Sequence, residues 1–319
     1  MKNKILPFLI GLMIVACQKD ELPIEPHDAG DAIEVQIEMG QYYKTQIFYS
    51  LKDNEIVSTN DKIIWDLGFE SSTNGWHVIL NSSKGMAVHR SSLNFDEIID
   101  ETGLEFDHWD TQTGNLDSTA IGNWQIENKL YVIDLGHDDL GIHQGFSKMT
   151  VESVNATSYL ISYGDISSLT PQQTTITKNT DNLYTFFSFQ TGVVTVAPPN
   201  ETWDLEFTQY THLFTNPDEA YIVTGVLLNP YNTVATVITN KSFNEIVYAD
   251  VVGLNYSPHL DVIGYSWKVY DFDLSIYTVN PNITYVVKTN EGLFYKLHFI
   301  DFYSALGIKG YPKFEVQAL

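Results

Sequence analysis

A tandem repeat constrains this chain more than any other feature. Phe48-Tyr49-Ser50-Leu51 corresponds to Phe186-Phe187-Ser188-Phe189, and at the same offset Trp65-Asp66-Leu67-Gly68-Phe69 corresponds to Trp203-Asp204-Leu205-Glu206-Phe207. Further on, Phe95-Asp96-Glu97-Ile98 matches Phe243-Asn244-Glu245-Ile246. Ile121-Gly122 with Trp124 matches Ile263-Gly264 with Trp267, and Leu130-Tyr131-Val132-Ile133 matches Thr284-Tyr285-Val286-Val287. Five matches kept in order indicate a duplicated unit of domain size. The junction is expected in the polar, turn-rich stretch from Leu169 to Asn182. This gives two expected domains, 33–168 and 176–319.

Within each copy the segments are short, β-branched or aromatic, and bounded by Asn, Gly, Asp or Pro, as in 44–51, 62–70, 76–80, 221–228 and 284–288. Residues 285–302 read as a hairpin turning at Asn290-Glu291-Gly292. No helical stripe is sustained, and 92–100 and 242–248 are the best short-helix candidates. The expected class is all-β: two tandem antiparallel β-sandwich-like domains with a few short helices. Alternation in Trp-Asp-Leu-x-Phe directs Trp65, Leu67 and Phe69 to one face as core, leaving Asp66 and Asp204 to cap turns or accept backbone bonds.

The N-terminus adds an address. Lys2 and Lys4 precede an apolar run from Ile5 to Val15 that is too short to span a bilayer, so 1–16 reads as a signal peptide. Ile14-Val15-Ala16-Cys17 resembles a bacterial lipobox, which makes Cys17, the sole cysteine, the expected lipidation site and membrane anchor. Gln18-Lys19-Asp20-Glu21 resembles the lysine-plus-acid export signal of Bacteroidetes lipoproteins, implying an outer-membrane lipoprotein exposed at the cell surface. Residues 17–32, carrying Pro23, Pro26 and Gly30, read as a flexible tether.

Charge excludes one class of partner. At a formal −23, with Arg90 as its only arginine, the chain lacks the cationic clusters that nucleic acid requires. Catalytic signatures for hydrolases, zinc proteases and phosphate-binding loops are absent, and the chain reads as a non-enzyme. The acidic turn Asp134 to Gly141 has the composition of a cation loop and equally that of an ordinary turn between strands.

The second copy carries a recognisable set: Trp203-Asp204-Leu205-Glu206-Phe207, Ile263-Gly264-Tyr265-Ser266-Trp267, Tyr285-Val286-Val287-Lys288-Thr289, Tyr295-Lys296-Leu297-His298-Phe299 and Lys309-Gly310-Tyr311-Pro312-Lys313-Phe314. Together these resemble the HmuY family of haem-binding surface lipoproteins of Bacteroidetes. The first copy resembles a diverged version that lacks the closing Lys-Gly-x-Pro signature. The resemblance implies haem as ligand and an outer-membrane haem receptor as partner, in haem and iron acquisition. The alternative is a non-catalytic surface lipoprotein that binds a protein, a glycan or another small ligand. His212 and His259, each beside a turn in the second copy, are the candidate haem ligands. His77, His108, Met39, Met86 and Met149 stand behind them. Lys241, Lys268 and Lys296 are expected to offset the repulsion between this acidic chain and haem propionates.

Overall fold

The computed structural model describes residues 30–127 and 129–319, so the expected signal peptide, Cys17 and most of the expected tether lie outside the described residues. Nearly all regular structure is antiparallel strand, arranged as two similar sandwiches. One five-stranded sheet runs Ile33–Gln36, Lys309–Ala318, Phe294–Tyr303, Thr284–Lys288, Val234–Ile238. Its counterpart runs Gln172–Thr177, Ser158–Asp165, Phe146–Val154, Leu130–Asp134, Ala87–Ser91. Each faces a four-stranded sheet: Asp218–Leu228, Leu205–Thr215, Thr45–Ser50, Glu55–Asp61 in one case, and Val78–Leu80, Leu67–Glu70, Tyr184–Ser188, Gly192–Val194 in the other.

The repeat is visible in hydrogen bonds as well as in residues. Asp66 N donates to Phe187 O at 2.8 Å and Asp204 N to Tyr49 O at 2.9 Å. The two carboxylates accept equivalent amides, Phe189 N on Asp66 Oδ2 and Leu51 N on Asp204 Oδ2, both at 2.8 Å. Asn81 and Asn229 donate through Nδ2 to the carbonyls of Trp65 and Trp203. Lys148 Nζ ties down Phe95 O and Ile98 O, and Lys296 Nζ ties down Phe243 O and Ile246 O. A buried ammonium needs such acceptors to offset its lost hydration, which is why the same residue type stands at both positions.

These bonds also show how the copies are joined. Thr45–Ser50 pairs with Leu205–Thr215, whereas Tyr184–Ser188 pairs with Leu67–Glu70, so each copy lends its opening strands to the other's sheets. Ile33–Gln36 completes the exchange by pairing with Lys309–Ala318. The cores follow the pairing: Ile47, Tyr49 and Leu51 pack with Phe207, Trp267, Phe299 and Phe314, while Phe187 packs with Phe69, Tyr131 and Tyr159. The sheets therefore do not divide at the boundary between 33–168 and 176–319.

The stretch expected as a linker contains a strand, Gln172–Thr177, at the sheet edge. Only Ile176 is buried there, so polar edge residues disguise it. Of the two helix candidates, 242–248 contains the 3-10 turn Phe243–Glu245, with Ser242 and Glu245 as a capping box, and leads into the one-turn helix Tyr248–Val251. Residues 92–100 form turns without a helix, with Asn94 N bonded to the Glu97 carboxylate. The hairpin across Asn290-Glu291-Gly292 is present, pairing Lys288 with Phe294.

Candidate functional site

His212 lies on Leu205–Thr215, the longest strand of its sheet with its partner Asp218–Leu228, and His259 lies in the loop that follows Tyr248–Val251. Main-chain bonds fasten this loop to the sheet: Leu228 N to Leu260 O at 2.8 Å, and an exchange between Val226 and Gly264. The approach requires a glycine at 225, because a Cβ there would stand 2.3 Å from Gly264 O. The loop thus carries Asp261 and Tyr265 to His212. The imidazole Nδ1 is 3.9 Å from Asp261 Oδ2, and the ring packs edge-on against Phe214 and Tyr265.

Burial pushes the His212 pKa down, with Asp261 opposing, so the ring is held neutral and its lone pair is available to a metal. Asp261 is itself pushed up by burial, opposed first by a backbone amide and then by the nearby His212 and His259. Both histidines therefore act on one carboxylate. His259 is exposed. Asp261, Phe214 and Tyr265 were missed at the sequence level. The Tyr265 position carried a signal, because it follows Ile263-Gly264, a repeat landmark.

Below this rim, beginning at Tyr210 and Leu260, a cleft of about 140 Å³ runs between the two copies. Its walls are made of repeat-related pairs: Phe48 with Phe186, Trp65 with Trp203, Leu80 with Leu228, Asn81 with Asn229. Phe48 meets Trp203, and Trp65 meets Phe186, edge-to-face at 4.8 Å in both cases. These rings form a cluster distinct from the two sandwich cores. Trp65 therefore parts from Leu67 and Phe69, which it was expected to join. The chain bends at Asp66 before the strand begins, so strict alternation does not extend back to the tryptophan.

The remaining candidates are otherwise engaged. Lys268 Nζ bonds to Thr224 O over the Trp267 ring, Lys296 holds two carbonyls, and Lys241 pairs with Asp250 at 2.5 Å. None of the three is left to meet a propionate. Met39, Met86 and Met149 are buried in the sandwich cores. His77 stacks on Trp76 and bonds to Glu70, and His108 pairs with Asp107. In the acidic turn, Asp134 accepts Gly136 N and pairs with His143, while Asp138 accepts Leu140 N and Ile142 N, so these carboxylates fold the loop itself.

A profile of the family described as HmuY protein matches residues 139–316, which is more than half of the chain. No curated protein matches the sequence. Among solved structures, the chain is similar to apo PinO from Porphyromonas gingivitis at 9% identity, covering 91% of this chain and 98% of that one, with a TM-score of 0.38. It is similar to the apo HmuY analog TFO of Tannerella forsythia at 11% identity, covering 92% and 98%, with a TM-score of 0.34. A protein of Bacteroides vulgatus described as HmuY-like and heme-binding shows 11% identity over 91% and 94%, with a TM-score of 0.25. On the family match, this chain is a member of the HmuY family.

Proposed function

We propose that this protein is a surface-anchored, haem-binding lipoprotein, a non-catalytic carrier that passes haem to an outer-membrane receptor, held to the membrane by a lipid on Cys17. Family membership supports a haem-binding type of protein. The observation that carries the assignment to this chain is the rim. A neutral, half-buried His212 stands beside Phe214 and Tyr265, and its buried Nδ1 faces Asp261. With Nδ1 turned inward, 3.9 Å from Asp261 Oδ2, Nε2 would be the nitrogen to meet iron. His259, on the same loop as Asp261, is the second ligand. Two carboxylates and no basic side chain line the cleft below, so nothing there would pair with the propionates.

The test is haemin titration of the purified mature chain. A saturable Soret band with a low-spin spectrum is expected, and His212→Ala or His259→Ala should convert the spectrum and weaken binding at least tenfold. Unchanged binding in both variants removes the ligand pair, and no saturable binding in either oxidation state removes haem. Among the described residues no helix is long and apolar enough to cross a membrane, so attachment through the lipid is consistent with them.

A further inference from the structure

The inter-repeat cleft contains a charged group that the fold does not use. Glu206 lies in Leu205–Thr215 opposite Phe48 on one neighbouring strand and Leu227 on the other, and all three line the cleft. Asp110, the other carboxylate in the wall, accepts Leu80 N and Ala120 N at 2.7 Å each and so has a structural role. Glu206 accepts no hydrogen bond and pairs with no cation among the described residues. The wall around it holds the four rings Phe48, Trp65, Phe186 and Trp203, and no lysine, arginine or histidine.

The repeat shows that this acid is not required by the sandwich. The equivalent position in the first copy is Gly68, where even a Cβ would lie 2.8 Å from Ile79. The two copies thus differ at the x position of Trp-Asp-Leu-x-Phe, and only the second places a carboxylate there. Glu206 is half-buried and has no partner among the described residues, and a bound cation would offset its charge. Aromatic faces around it favour a cation whose charge is spread over carbon-bearing substituents, because ring quadrupoles attract such groups once water is excluded.

We propose that the cleft is a second ligand site, separate from the histidine rim, that takes a small organic cation of the alkylammonium class, with Glu206 as its counter-ion and the Phe48, Trp65, Phe186 and Trp203 rings as its walls. The same features repel anions, so the site discriminates by charge.

The unmodified mature chain is titrated calorimetrically with tetramethylammonium and n-butylammonium, and in parallel with n-butanol and butyrate. Saturable binding of the two cations, at least tenfold tighter than of the neutral or anionic analogue, is expected. Glu206→Gln, nearly isosteric, should weaken the cations tenfold or more and leave haemin titration unchanged. Burial raises the Glu206 pKa to about 7, so cation affinity should fall by about tenfold per pH unit below that value and level off above it. The other titratable groups facing the cleft are Asp110, pushed up to about 6, and the hydroxyls of Tyr184 and Tyr210, pushed upward by burial. Lys62, bonded to Gln209 behind the wall, is lowered to about 8 and stays protonated across the lower range. Equal binding of butanol and butylammonium, a pH-independent cation affinity, or no saturable binding of either cation overturns the proposal. The pH series needs no variant and decides the matter even if Glu206→Gln fails to fold. A lost Soret titration with intact cation binding would reject only the haem reading.

Discussion

Asp66 and Asp204 occupy equivalent places, yet their surroundings differ. Each caps a strand end from the other copy, as the alternation in Trp-Asp-Leu-x-Phe implied. Asp66 is also paired with the buried Lys84 at 2.5 Å, whereas Asp204 makes no ion pair among the described residues and burial pushes its pKa up to about 6. A carboxyl raised in the folded state binds more protons there than when unfolded, so Asp204 costs stability progressively as pH rises through about 4 to 6. Asp204→Asn keeps an acceptor for Leu51 N and should stabilise the protein at pH 8 by up to about 3 kcal/mol, with no gain near pH 4. Asp66→Asn strands Lys84 and should destabilise by about 3–5 kcal/mol at pH 8. Urea unfolding at the two pH values separates these outcomes, and shifts of the same sign for both variants would show that Lys84 is not the deciding neighbour.

At the level of strands, the exchange between copies predicts how the chain responds to a cut. Asn179 to Asp181 form an exposed turn after Gln172–Thr177, suited to limited proteolysis. A nick there leaves three ladders running between the fragments: Ile33–Gln36 on Lys309–Ala318, Thr45–Ser50 on Leu205–Thr215, and Leu67–Glu70 on Tyr184–Ser188. We therefore expect two bands after denaturation and a single species of full mass by gel filtration under native conditions. Fragments that separate without denaturant would restore independent domains with the boundary near 169–182. The edge strand within that boundary escaped sequence reading because its exposed positions are Gln and Thr, and composition at a solvated sheet edge resembles that of a loop.

Across the whole molecule, the proposed haem ligands and the cleft lie at the loop and seam beside the two sandwiches. The proposed anchoring through Cys17 has a direct test: replacing Cys17 with serine should move the chain from washed membranes to the soluble fraction. Added protease should remove the native protein from intact cells. Retention of the Cys17→Ser variant on washed membranes would refute lipid anchoring, and protection of the native chain would place it behind the outer membrane.

The amino-acid sequence by itself determined the strand-rich character, the duplication, the capping aspartates and the family, because each is carried by local pattern: alternation, spacing, or a short run of residues that recurs. It also isolated His212 and His259 as histidines beside turns. Tertiary structure alone decided which copy completes which sheet, since register and partner depend on contacts between residues more than a hundred positions apart. It also decided that Lys268 and Lys296 serve backbone carbonyls instead of a ligand, and that Asp261 lies behind His212. The seam was likewise invisible beforehand, although the contrast between Gly68 and Glu206 was present in the repeat. A cleft exists only where two folded surfaces fail to close, and a carboxylate becomes notable only when its surroundings supply no partner.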